Sequence, residues 1–138
     1  MKCLIIIFFS LISSMSFAGS FVSQQVIINC DMSTASCASY GIKMDTMEIA
    51  SFQAVMSGSP VGTLKVQLSN DIATPSNGPD KSLNVVNWTD YTGSSEAISA
   101  SGTFVYNLLN SGYGWVRLVY TKTSGTGTLN ATFRAKTP

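Results

Sequence analysis

The feature that most constrains the fold is a two-residue alternation of apolar and polar side chains, which recurs in short runs after residue 18. In the clearest run, Leu64, Val66 and Leu68 alternate with polar neighbours. Successive side chains of a β-strand point to opposite faces, so this period indicates strands with one buried face. Gly, Ser, Asn and Pro bound the runs, as turns require. The predicted strands are 21–28, 42–49, 51–56, 63–69, 85–91, 96–99, 103–108, 115–121 and 128–136.

These short strands predict an all-β fold, namely an antiparallel β-sandwich of jelly-roll or galactose-binding-like type with eight or nine strands. Segment 115–121 carries apolar residues on both faces, which is typical of a central strand. The Gly- and Ser-rich segment 123–127 is predicted to turn the chain, so that 115–136 forms a closing hairpin. The predicted core contains Leu64, Val66, Leu68, Trp88, Phe104, Tyr106, Val116, Leu118, Tyr120, Leu129 and Phe133.

The first 18 residues have the layout of a secretory signal peptide. Lys2 precedes an apolar run that ends at the small-residue site Ser16-Phe17-Ala18. A membrane anchor is the alternative, but serines interrupt the run and it is shorter than the roughly 20 residues that a span needs. The sequence therefore predicts cleavage after Ala18, one domain over 19–138 without a transmembrane anchor, and a secreted location, in the periplasm or at the cell surface.

Cys30 and Cys37 flank a polar, turn-prone segment. In an oxidising compartment this arrangement predicts a local disulfide. Zinc binding or a redox role is the alternative, but the chain has no histidine and the two cysteines do not form a Cys-x-x-Cys motif.

The charge balance and the missing histidine exclude several function classes. Eight Lys and Arg face seven Asp and Glu, for a net charge of +1, which lacks the basic excess needed to bind nucleic acid. Without histidine, Ser-His-Asp and Cys-His catalysis are absent. Two carboxylates can hydrolyse glycosides without histidine, but the spacing of the acids brings no two of them into one predicted pocket. We therefore expect that the protein is not an enzyme and that it binds no cofactor.

The connection 70–84 is long and aperiodic, and loops of this kind often carry function. Oxygen-bearing side chains gather there and just beyond, as Ca²⁺ binding requires. The alternative is that they stabilise ordinary turns, because Asn and Asp do so in most loops. The weak calcium candidates are Asn70, Asp71, Asp80 and Asp90, with Asn77 in the same loop.

Several aromatic residues could stack on sugar rings. Trp88, Tyr91, Tyr106, Tyr113 and Trp115 form this set, with core or interface positions as the alternative for both tryptophans. Arg117 is expected to extend towards solvent or to pair with Asp90 or Glu96. The candidate ligand-binding residues are Asn70, Asp71, Asp80, Tyr113 and Trp115.

Segment 64–71, followed by 87–90, resembles a hairpin of discoidin-like and other galactose-binding-like β-sandwiches. A wider stretch, 50–136, is similar to small β-sandwich modules of phage virion and tail-fibre proteins and of secreted bacterial surface proteins. The resemblance implies a non-catalytic, externally displayed module that is often part of a larger assembly. This sequence departs from the pattern in its long 70–84 loop and in the N-terminal part that carries the cysteine pair.

Two functional hypotheses follow. The first is a structural or adhesive subunit of an extracytoplasmic assembly, since a surface with few charges opposes self-association only weakly. This hypothesis predicts a homo-oligomer or a surface assembly. The second is a monomeric carbohydrate-binding module that recognises surface glycans with the 70–84 loop and nearby aromatic residues.

Overall fold

The computed structural model of the protein describes residues 19–71, 74–75, 83–109 and 112–137. The predicted signal peptide and Asp80 lie outside these ranges. No helix in the described part of the chain is long and apolar enough to cross a membrane. The strands are β1 (Phe21–Asp31), β2 (Cys37–Ala38), β3 (Ile42–Lys43), β4 (Ile49–Met56), β5 (Ser59–Ser69), β6 (Thr74–Pro75), β7 (Leu83–Asn84), β8 (Thr89–Asp90), β9 (Glu96–Ile98), β10 (Gly102–Leu109), β11 (Trp115–Thr126) and β12 (Thr128–Lys136).

The strands form two main antiparallel sheets. Sheet I has the order β1-β12-β4-β10. Sheet II has the order β2-β11-β5-β8, with β3 also paired to β11 and β9 also paired to β5. β6 and β7 form a separate two-stranded ribbon. The predicted all-β sandwich of antiparallel sheets is thus confirmed, whereas the discoidin-like assignment within that class stays a prediction.

Alternating residues of both sheets fill the space between them. On β4, Ala50, Phe52, Ala54 and Met56 are buried while the residues between them face outward. The ring of Phe52 lies 5.1 Å from that of Phe133 on β12, a centroid separation typical of packed aromatic pairs. The predicted core is confirmed for eight side chains, which are Leu64, Val66, Leu68, Val116, Leu118, Tyr120, Leu129 and Phe133.

The remaining core predictions need correction. Phe104 and Tyr106 are half-buried, because β10 lies at the edge of sheet I. Trp88 is also half-buried, and it packs outside the sandwich.

The predicted hairpin 115–136 is wrong. β11 belongs to sheet II and β12 to sheet I, and the chain crosses between the sheets at Gly127. The supposed turn 123–127 instead largely continues β11, which pairs with β5 as far as Thr126 after a register shift. Alternation shows which residues of a strand face inward, but it does not say which strand lies beside it.

A second crossing, from β4 to β5 at Gly58, lies against the first. Gly58 and Gly127 have φ values of +77° and +143°, which only glycine adopts readily. A Cβ on Gly127 would lie 2.0 Å from the carbonyl oxygen of Ser57, so a larger residue does not fit. The amide of Ser57 donates to the carbonyl of Thr128 over 3.0 Å, which fastens the two crossings together.

The predicted disulfide between Cys30 and Cys37 is present, with an S–S distance of 2.01 Å. Cys30 lies on β1 in sheet I and Cys37 on β2 in sheet II, so the bond joins the two sheets. Met32, inside the closed loop, is fully buried. The loop therefore closes one end of the core.

Two predicted strands are shorter in the structure. Segment 42–49 ends as a strand at Lys43, because the amide of Met47 donates to the carbonyl of Met44 in a turn. In segment 85–91, only β8 pairs with a neighbouring strand. The amides of Val86 and Asn87 donate to the carboxylate of Asp71 and not to the sheet.

Candidate functional site

Residues 85–88, which we call the strap, precede β8 and place Trp88 on the outer face of sheet II. The Trp88 indole of the strap stacks on the guanidinium of Arg117, whose central carbon is 4.2 Å from the ring centroid. Its Nε1 donates to the carbonyl of Val85 over 3.0 Å. A Cβ on Gly41 would lie 3.3 Å from Trp88 and 3.6 Å from Trp115, so both indoles reach this glycine. Trp88 therefore packs on the outside of sheet II.

Arg117 does not pair with Asp90 or Glu96, which was one of the two arrangements that the sequence predicted. Its Nε donates to Oε1 of Gln67 over 2.9 Å, and Gln67 in turn donates from Nε2 to Asp90. Glu96 instead accepts a bond from the hydroxyl of Tyr106. Burial lowers the pKa of Arg117, although the guanidinium remains charged at neutral pH. Arg117 is thus held by an amide and an aromatic face.

Beside the strap lies an open groove of about 510 Å³, at the end of β5. Asn70, Asp71, Asp90 and Tyr113, which the sequence proposed for ligand or calcium binding, all line it. Trp115 does not line it and is only 8% exposed. The tyrosines contribute an edge-to-face pair, since the Tyr91 and Tyr113 rings are 6.3 Å apart. The other lining residues are Leu68, Ser69, Asn87, Thr89 and Thr92.

Asp71 fastens the strap to the end of β5. Its carboxylate accepts bonds from the amides of Asn87 and Val86 over 2.6 and 3.1 Å. The Asn87 side chain adds a third bond over 3.1 Å. The hydrogen bonds from the Asn87 backbone and side chain hold the pKa of Asp71 below its usual range, with a smaller contribution from Val86. Asp71 therefore stays ionised and fixes one side of the groove.

Asn70 and Asp90 are also engaged within the chain. Oδ1 of Asn70 accepts the amide of Gly114 over 2.9 Å. Asp90 accepts from Gln67 over 2.8 Å and from Lys65 over 2.9 Å, and these two bonds lower its pKa. The described ranges contain no group of three or more His, Cys, Asp or Glu residues that could hold a metal ion. These contacts correspond to the turn-stabilising role that the sequence left open beside calcium binding.

The edge of sheet I offers a second candidate surface. β10 pairs with β4 over eight successive residues without a register shift, and no described strand pairs with its other side. Its outward side chains are Thr103, Val105, Asn107 and Leu109, all uncharged. Val105 is 58% exposed and Leu109 is 62% exposed. This edge is long and regular, and no strand of the described ranges lies beside it.

Sequence reasoning missed both the free edge and part of the groove. The run 102–109 gave no signal for a free edge, because edge strands are commonly protected by charged residues and this run carries none. Asn87, Thr89 and Thr92 were not among the predicted ligand-binding residues, although the hairpin resemblance of 64–71 and 87–90 placed the first two beside β5, with which β8 does pair.

No protein-family model matches the chain. No curated protein matches it either. Among solved structures, the SPBc2 prophage-derived protein YomS is similar over 86% of this chain and 96% of its own, with a TM-score of 0.48 and 13% identity. A chain from the disulfide-linked pili formed by Bacillus endospore appendages is similar over 94% of this chain and 98% of its own, with a TM-score of 0.46 and 8% identity. Likenesses of this size do not identify a function.

Proposed function

We propose that the protein is a non-catalytic structural subunit of an extracytoplasmic assembly, and that its copies associate through the free edge of β10. The observation that carries the proposal is this edge, Gly102–Leu109, which is regular and uncharged and has no strand beside it in the described structure. A bare edge presents unpaired N–H and C=O groups to solvent, and another strand satisfies them best.

The surrounding surface supports association. Next to Val105 and Leu109, the outward residues Ile49 and Val55 of β4 are also exposed. Removal of residues 1–18 would leave seven basic and seven acidic residues, because Lys2 is the single charge in that segment. Copies of a chain with so little net charge repel each other weakly. The Cys30–Cys37 disulfide fits a protein that works outside the cytoplasm.

Light scattering on residues 19–138, over a wide concentration range with the disulfide intact, tests the proposal. We expect a discrete oligomer or a growing polymer for the wild type. Val105→Lys should be monomeric at concentrations where the wild type associates, because an edge lysine opposes strand addition. The control is Gln53→Lys, which places the same charge on the same face one strand further in, since Gln53 pairs with Val105. It should associate like the wild type.

A wild type that stays monomeric at the highest concentrations would overturn the proposal. Equal association of Val105→Lys and the wild type would also overturn it, since the edge would then play no part. Loss of association in Gln53→Lys as well would assign the contact to the face of sheet I and not to its edge.

A second candidate function is carbohydrate binding, and one observation favours it. The groove brings Tyr91 and Tyr113 together with Asn70, Asp71 and Asn87. Aromatic faces and planar polar groups are the usual elements of sugar recognition, and a volume near 510 Å³ lies within the usual range for small-ligand sites.

A glycan array followed by titration calorimetry tests this candidate. Binding of a neutral oligosaccharide should weaken by about twofold to tenfold in Tyr113→Ala, since one stacking contact is worth about 0.5 to 1.5 kcal/mol. Tyr40→Ala is the matched control, because Tyr40 is exposed but does not line the groove. An array without any bound glycan would remove the candidate.

A further inference from the structure

We propose that β10 pairs with β10 of a second copy, antiparallel and about a two-fold axis that passes at Val105, so that the two sheets I become one continuous eight-stranded sheet. This inference rests on the proposed function and specifies its partner and its symmetry. The two copies of β10 would face each other over residues 102–108.

The directions of the strands leave two ways to extend sheet I. Neighbouring strands of the sheet are antiparallel throughout, so its two edge strands, β1 and β10, run in opposite directions. An antiparallel extension at β10 can therefore come from the β10 edge of a rotated copy or from the β1 edge of a translated copy. The first closes a dimer, and the second continues into a filament.

β1 is a poor partner for a long pairing. Its register with β12 shifts between Gln25 and Ile27 and again between Ile27 and Cys30. Asn29 has a φ of 47°, in the left-handed region, and Cys30 is bonded to sheet II. Bulges twist an edge and interrupt pairing, and they are a common protection against strand addition. Only residues 21–25 of β1 remain regular, against eight residues of β10.

The side chains of β10 favour an axis at Val105. Val105 would face the Val105 of the second copy, and Thr103 would face its Asn107, so no charges meet on the outer face. On the inner face, Phe104 would face the second copy's Tyr106. Both rings are only half-buried in the single chain, so pairing would cover surface that the sandwich leaves open.

An axis at Tyr106 is less favourable. Tyr106 donates from its hydroxyl to Oε2 of Glu96 over 3.2 Å. An axis at this residue would bring the two Tyr106–Glu96 pairs together and place two carboxylates near each other. Like charges at short distance oppose association.

Cysteine cross-linking distinguishes these arrangements. Directly opposed residues of antiparallel strands have Cα atoms about 4.5 to 5.5 Å apart, within the range that a disulfide spans. Val105→Cys chains should therefore form covalent dimers under a mild oxidant. Asn107→Cys is the control on the same strand and face, because its two copies would be offset by about 14 Å along the strands. We expect at least about tenfold less covalent dimer for Asn107→Cys, since a disulfide does not reach that far.

A second variant tests the same register independently. In Thr103→Cys/Asn107→Cys, the cysteine at position 103 of each copy would face the cysteine at position 107 of the other copy. This variant should therefore form a doubly linked dimer. Non-reducing gels and peptide mass spectrometry identify the linked positions. Both sites are exposed, so the fold should tolerate the changes.

The outcomes separate this inference from the proposed function. If light scattering shows an oligomer but Val105→Cys links no better than Asn107→Cys, and the double variant does not link, the two-fold pairing is wrong and association uses another surface. Mixed dimers of Val105→Cys with Ser23→Cys would assign the contact to β10 and β1 and overturn the closed dimer. A wild type that is monomeric at all concentrations would overturn the proposed function and this inference together.

Discussion

The outer faces of both sheets carry apolar side chains, but the two faces differ in how far those side chains are exposed to solvent. Trp115 on sheet II and Val105 on sheet I are both apolar residues that point away from the core. Trp115 is 8% exposed, whereas Val105 is 58% exposed. Near Trp115 the strap adds the Trp88 indole, since both rings reach Gly41, whereas the outer face of β10 stays open at Val105. An outward apolar residue thus becomes buried or available for contact according to what lies over its sheet.

The largest expected effect comes from removing the Trp88 indole of the strap. Trp88→Ala should lower the free energy of unfolding by about 2 kcal/mol, less than for a fully buried Trp because the ring is half-buried. Val105→Ala on the bare face should change it by less than about 0.5 kcal/mol. Urea unfolding at low protein concentration measures both. Equal losses of unfolding free energy in the two variants would show that the contacts of the strap do not stabilise the protein.

A smaller effect should distinguish two cation–aromatic contacts. Arg117 lies 4.2 Å from the centroid of Trp88 in the strap, and Arg134 lies 4.9 Å from that of Phe21 on sheet I. Arg117→Met should cost about 1 kcal/mol, because its partly desolvated cation loses both the indole and Gln67. Arg134→Met should cost about 0.5 kcal/mol or less, since this contact is solvated. Comparable losses in urea unfolding would contradict the difference between the faces.

The smallest expected effect is a response of the strap to acid. Hydrogen bonds lower the folded-state pKa of Asp71, so the stability that they contribute is fully present above the unfolded pKa of about 3.9. It is lost as the pH falls through the lowered folded value. Tryptophan emission should therefore shift to the red below about pH 4, as the strap loosens and Trp88 becomes hydrated.

Asp71→Asn should reduce this acid response, because the replaced side chain does not titrate. Pairing through β10 should change less over the same range, since its outward side chains Thr103, Val105, Asn107 and Leu109 carry no acid. An unchanged acid response in Asp71→Asn would show that another group controls the strap.

Much of the architecture could be predicted because it depends on local pattern. The alternation at Leu64, Val66 and Leu68 identified the inner face of β5, and the short spacing of Cys30 and Cys37 identified the disulfide. The candidate site was predicted in part. Asn70, Asp71 and Tyr113 do line one groove, but Trp115 is buried near Gly41 and Trp88 and does not line the groove.

The sequence alone determined the fold class, the inward residues of most long strands and the cysteine pairing, because these follow from side-chain periodicity and short separations along the chain. The tertiary structure decided three further features. β11 and β12 lie in opposite sheets, Trp88 lies outside the core, and β10 has no described neighbour on its outer side. Each depends on which distant segments meet, and periodicity records the face of a strand without recording its neighbour.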